Sequence, residues 1–513
     1  MYVIGPEPNE APSEMPPDGM PPDGEPGGAP GGQDGSSISY NGAIELTEDT
    51  SLSDQSYSST STAQNTLLVS EATVNLNNST INKTGDASGD SADFYGTNAA
   101  ILAYNNATLN ITGGEITTDG AHANAVFAYG SGTVNLTDTK ITTNSNNSGG
   151  IMVAGGGTLT ATNLTVETFG NSSAPIRSDR GGGTMTIEGG NYTSRGVGSP
   201  AIYSTAKITV DNATLISTAS EGIVIEGSNS VTIRSSTITD TNNQLNGNSE
   251  TYKNIFIYQS MSGDAETGTG TFTAKNSAFV TIQGDHFFIT NTTAVISLTS
   301  NKFINNDSTG VFLRAASGKW GTAGSNGGKV TLNAVTQEII GDLVIDESSS
   351  LNLKLVESYF KGTVKNSGTT NLTLDANSII VLTGDSYLSS LTNAATDNFN
   401  IYANGHKLYV AGNEVSINQD TAPESFLKDA LDAIIGNIQD VSNTEPTPDI
   451  NIPVLASCII GGLLVLVAIT TLIIKRKRRR ERTPQPTIII DTDQSNARGS
   501  ASKNNHNPYQ TGV

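Results

Sequence analysis

The chain has 513 residues and a formal net charge of −22, with 27 Lys and Arg against 49 Asp and Glu. So acidic a surface repels nucleic acid and anionic lipid, and neither is expected as a ligand. Aromatics make up 6% and charged residues 15% of the chain. A disordered polyelectrolyte is thereby excluded, since Thr, Ser, Asn and Gly carry the polar surface instead.

Residues 1–36 form a Pro- and Gly-rich acidic leader in which Met15-Pro-Pro-Asp-Gly recurs from Met20. That composition cannot pack a core and reads as a spacer. No secretory leader is read in it, because residues 1–4 are too short for an apolar stretch and Gly5-Pro follows at once.

Residues 37–420 carry a repeat of roughly 25 residues. One apolar column runs Leu109, Val134, Leu159, Met185, Ile208, Val231. A second, two residues on, runs Ile111, Leu136, Ala161, Ile187, Val210, Ile233. A third, five further, runs Ile116, Ile141, Val166, Tyr192, Leu215, Ile238. Spacing by two is one face of a strand, and the polar break before the third column reads as a corner. An earlier strand contributes the inward pairs Ile101/Ala103, Val126/Ala128, Ile151/Val153, Ile176/Ser178, Pro200/Ile202 and Ile223/Ile225, and the one extra residue near Ile176 is placed in Gly181-Gly182-Gly183. No single repeat could bury these columns, whereas stacked coils bury each against the next. The predicted fold is all-β: a parallel β-helix solenoid, right-handed because parallel crossovers nearly always are.

Outward positions of that earlier strand form the candidate binding strip: Tyr104, Tyr129, Arg177, Asp179, Tyr203, Glu226 and Tyr258. Aromatic faces among carboxylates suit carbohydrate, since rings stack on sugar C–H faces and carboxylates accept hydroxyl protons. Stacking of like residues along the sheet, or a loop covering the strip, is the competing structural reading. Arg177 and Arg180 flank Asp179 and are expected to hold it ionised. Ice binding would need flat Thr-x-Thr ladders, and motifs such as Thr184-Met-Thr186 are not expected to repeat in register.

Residues 421–440 suggest a short amphipathic helix, N-capped by Ser425 with Phe426, Leu431, Ile434 and Ile435 as its stripe, capping the open end of the solenoid. Residues 441–453 read as a stalk. Residues 454–474 are an uncharged apolar run of bilayer-spanning length, followed at once by six basic residues at 475–480. This basic flank predicts a single-pass membrane protein with residues 1–453 outside the cell and a cytoplasmic tail at 475–513. The one cysteine, Cys458, falls within the span. About fourteen Asn-x-Ser/Thr sequons precede the span and none follows it, among them Asn77, Asn82, Asn135, Asn191, Asn291 and Asn371. This one-sided distribution makes them candidate glycosylation sites. Thr511-Gly-Val513 matches the short carboxyl-terminal ligand of PDZ domains. No cofactor or metal site is expected.

The segments Arg177-Ser-Asp-Arg-Gly-Gly-Gly-Thr184, Tyr258-Gln-Ser-Met-Ser-Gly-Asp264 and Trp320-Gly-Thr-Ala-Gly-Ser-Asn-Gly327 resemble adhesin-like β-helix surface proteins of gut Firmicutes, as does the leader. The likeness covers about residues 20–420. A span and basic tail appended to such a body resemble trichomonad single-pass surface proteins. Polymorphic outer membrane proteins of chlamydiae share the architecture, although only Phe303-Ile-Asn-Asn306 fits one of their paired motifs. These resemblances imply attachment to a glycan or host surface. The alternative is a polysaccharide-active enzyme of the pectate-lyase-like type, using Asp179 and Glu226 two coils apart, about 9–10 Å. Against it, His122, His286 and His406 fall outside the strip, near predicted corners.

Overall fold

The computed structural model describes residues 38–245, 251–260 and 262–433. The leader, the stalk, the apolar run at 454–474 with Cys458, and the basic tail lie outside the described residues. No helix among the described residues is long and apolar enough to cross a membrane.

Alternating inward residues and Asn- or Gly-rich corners wind the described residues between 42 and 414 into stacked parallel coils. A first sheet of 13 strands runs from Gly42–Leu46 to Val364–Asn366, a second of 14 from Thr50–Ser53 to Ser390–Asn393, and a third of 10 from Ser56–Ser59 to Lys302–Asn305. A four-stranded sheet beginning at Glu338–Ile340 serves the last coils, and the pairing of Leu408–Val410 with Asn413–Glu414 is antiparallel. Register confirms all three apolar columns, with Leu109, Val134, Leu159, Met185, Ile208 and Val231 paired in succession. Their side chains form one continuous buried core. The extra residue sits in the Gly-rich corner, where Gly157 pairs with Gly183 and the strands on either side keep step.

One strand departs from expectation. Ile176 pairs with Ile202, so the inward pair of that coil is Ile202/Ser204, not Pro200/Ile202. The reason is a corner two residues shorter than its neighbours: Ile202 precedes its second-sheet partner Ile208 by six positions, whereas Ile151 precedes Leu159 and Ile223 precedes Val231 by eight.

The corner from second to third sheet is made in most coils by a single left-handed residue, and at 113–114 and 189–190 by a pair of left-handed glycines. Asp54, Asn78, Asp138, Asn163, Asn212, Ser235, Asn276 and Ser300 hold φ between 46 and 58°, a conformation that Asn and Asp tolerate through local hydrogen bonding. In several coils the next residue turns inward and accepts a backbone proton from the coil before, as Ser79 and Ser236 do. Ser277 Oγ accepts the Ser236 N–H at 3.2 Å, Asn301 Oδ1 the Ser277 N–H at 3.0 Å, and Gln337 Oε1 the Asn301 N–H at 2.8 Å. On the outer face of the second sheet Asn135 donates to Asn110, and Asn110 to Asn75, both at 2.9 Å. Thr158 and Thr160 there pair with Thr184 and Thr186, and Thr133, Asn135 and Thr137 with Thr108, Asn110 and Thr112. Contrary to expectation, short hydroxyl residues therefore do align. Glu188, Lys207 and Asp211 close the neutral patch.

The segment after residue 420 packs on the side of the final coils rather than on their open end. Leu427 and Leu431 bury against the outward Tyr359 and Val381, and Tyr359 Oη donates to the Pro423 carbonyl at 3.0 Å. Phe426, expected in the buried stripe, is exposed, while Ile434 and Ile435 lie outside the described residues.

Candidate functional site

The outward strip of the first sheet does not face water. Tyr203, Glu226, Tyr258, Arg177 and Asp179 are all buried, and Tyr104 and Tyr129 are half-buried. Three insertions cover them. The coil from Leu67 to Ile101 is nine residues longer than the next, and the excess forms α1 (Asp90–Tyr95), whose Phe94 is fully buried. The outward column Leu68, Leu102, Phe127, Met152 packs beneath that insertion together with Tyr40, Tyr104 and Tyr129. Residues 259–260 and 262–268 and a loop carrying Trp320 cover the remainder, with the Trp320 ring centre 5.5 Å from that of Tyr258.

Beneath the cover the polar groups satisfy one another. Glu226 Oε2 accepts from Tyr203 Oη at 2.6 Å and Tyr258 Oη at 2.8 Å, while Oε1 accepts from Ser260 Oγ. Arg177 Nη2 donates to Asp179 Oδ2 at 3.0 Å and its Nη1 to the Ser172 carbonyl. Burial lifts the Asp179 carboxyl to about 6, with Arg177 opposing the rise. The expectation that two flanking arginines favour its ionised form is thus corrected, because burial outweighs Arg177. Arg180 gives Asp179 only its backbone N–H and turns its guanidinium away. That guanidinium joins two covering segments: Nε donates to Asp264 at 2.5 Å, Nη1 to Asp90 at 3.1 Å, and its face lies 3.9 Å from the centre of the Phe94 ring.

Beside this strap lies a cleft of about 700 Å³ at the corner between first and second sheets. Its floor is the Gly181-Gly182-Gly183 corner and the shortened Thr205-Ala206-Lys207 corner, where the missing two residues leave a recess. Glycine is required at the corner, since a Cβ on Gly181 would stand 2.8 Å from the Gly155 Cα and φ there is +77°. One wall is aromatic, Tyr129 against Tyr95 with ring centres 5.5 Å apart in an edge-to-face arrangement. The other is the loop bearing Ser262, Asp264 and Glu266, and Asn229 and Lys207 also reach the space. Of the seven strip residues only Tyr129 lines it. Tyr104 packs instead on Tyr40, with ring centres 4.4 Å apart. Tyr95, Lys207, Asn229 and Ser262 were not singled out from sequence, and Arg180 was read only as a neighbour of Asp179. The long coil that carries α1 was the available signal.

The sequons fall into two groups. The Nδ2 atoms of Asn135, Asn291 and Asn371 donate to Asn110, to the Gln259 carbonyl and to Asn352 respectively, and that of Asn77 to Ser53 at 3.4 Å. A glycan on any of them would replace an existing hydrogen bond. Asn191 is exposed and Asn82 half-exposed.

Residues 124–320 match the family described as the right-handed beta helix region. This is a parallel β-helix protein. The match spans the coils from the Tyr129 strand to the Trp320 loop, which supply the cleft's floor and loop wall, but not α1, which brings Tyr95. No curated protein and no solved structure matches the chain.

Proposed function

We propose that this β-helix protein is a single-pass surface protein that binds a glycan in the cleft beside Arg180. The observation that carries the reading is the pairing of the Tyr95/Tyr129 wall with Arg180, Lys207, Asn229 and Ser262 around one recess. Aromatic edges and faces stack on sugar C–H groups, and the polar side chains meet hydroxyls. Backbone corners and the Arg180 strap hold this lining before any ligand arrives, which lowers the entropic cost of binding. The apolar run at 454–474 and its basic flank support display on a membrane, with the β-helix outside.

A glycan array with the full-length protein in detergent tests the binding. Retained, uncleaved ligand is expected; release of shortened products would favour the polysaccharide-active alternative. A blank array would overturn the reading. Protease applied to intact cells tests the topology: the β-helix should be cut away and tail epitopes protected.

A further inference from the structure

The corner that holds the cleft carries a second hollow, on the far side of the loop that walls the first. It measures about 430 Å³ and is lined by Gln259, Thr267, Asn291, Thr293, Ser325 and Lys329, among others. Residues 262–266 face the first space and Gln259 with residues 267–269 the second, so one loop serves as a wall to both. That loop is braced from each side. Asp264 is held by Arg180 at 2.5 Å, and the Gln259 carbonyl accepts from Asn291 Nδ2 at 2.8 Å. From the Ile202 strand to the Phe287 strand the register advances three coils. The two hollows are therefore offset by about 14 Å along the axis.

Their chemistries differ. The first offers aromatic rings and charged groups, whereas the second offers hydroxyls, amides and one lysine, with neither ring nor carboxylate among its lining residues. A single terminal sugar would use only the first. A ligand able to occupy both must be long, hydroxyl-rich and extended along the coil axis.

We propose that the second hollow is a further subsite for the same ligand, which is a linear polysaccharide strand lying parallel to the solenoid axis. The proposal depends on the glycan reading above and narrows it. Titration calorimetry of the full-length protein in detergent tests it, using β-1,4-linked glucan, xylan and mannan oligosaccharides of two to eight sugars. For the series that binds, Kd should fall at least about tenfold from disaccharide to octasaccharide as the second subsite fills. Thr293→Trp, at an exposed position lining the second hollow, should return the octasaccharide to disaccharide affinity and leave the disaccharide unchanged. A Kd independent of length, or a variant that weakens short and long chains alike, would overturn the second subsite and leave the cleft standing. An array positive only for branched or terminal-sugar ligands would overturn the linear strand, whereas a blank array would retire both readings.

Discussion

Tyr129 and Tyr203 have the same side chain on the same sheet and opposite roles. Tyr129 lines the cleft, so Tyr129→Ala should abolish glycan binding while costing about 1–2 kcal/mol of stability, the loss of one aromatic pair and part of its burial. Tyr203 is buried and donates to Glu226. Tyr203→Ala should cost about 3 kcal/mol or more, and Tyr203→Phe about 1.5–3 kcal/mol, because a buried carboxyl oxygen loses a donor. Chemical denaturation distinguishes the two sites, and equal costs would mean the strip is not covered as described. His286 gives a pH test. It is fully enclosed beside Thr281 Oγ1 and the Phe303 and Phe312 rings, and burial pushes its imidazole down to about 3. The folded chain therefore binds fewer protons than the unfolded chain between about pH 6.5 and 3. Its contribution to stability is present above pH 6.5 and is lost as pH falls, about 2 kcal/mol by pH 5. Asp179, lifted to about 6, acts in the opposite sense, its contribution fading as pH rises. The comparison must therefore be made against His286→Asn at each pH, and that variant should lose less stability between pH 7 and 5 than the parent.

At the scale of the coil, the side-chain ladder inside the second-to-third corner replaces hydrogen bonds that a sharp turn cannot supply from its own backbone. Asn301 accepts the Ser277 N–H, donates to the Ala274 carbonyl and meets Gln337. Asn301→Ala would orphan several buried groups at about 1–3 kcal/mol each, while Asn276→Gly, at the neighbouring left-handed position, should change stability little. Melting curves of the two variants check this. The apolar columns were legible because two periods coincide in them, two within a strand and about 25 between coils. The corner at 205–207 was not, since its shortening moves the strand by two residues and leaves inward parity unchanged. A loop over the strip was one of the two readings open from sequence, and burial bears it out, but the segments that supply it were not legible. These segments enter from α1, from residues 259–260 and 262–268 and from the Trp320 loop, and they reach strip residues on other coils than their own. Leu102, Phe127 and Met152 did carry a signal, because three large apolar side chains in succession on a supposedly wet column ask for a lid. The cleft lies between the misplaced corner and this cover.

Across the whole solenoid, the backbone hydrogen bonds between coils point along the axis. A force drawn between the two ends therefore opposes one row of bonds at a time, and coils should peel away singly. Arg180 alters that mechanics. Its own strand lies three coil steps from the strand that follows Asp90 and three from the strand that precedes Asp264, so the guanidinium fastens segments inserted six coils apart. Tension across this stretch is shared by the strap and by every coil between its ends, as a rivet shares load through a stack of plates. In an optical trap these coils should give way together, in one large extension step, and Arg180→Ala should split that step into smaller ones at lower force. The cleft sits within the riveted stretch, so a tethered ligand would be gripped by the part of the molecule that yields last.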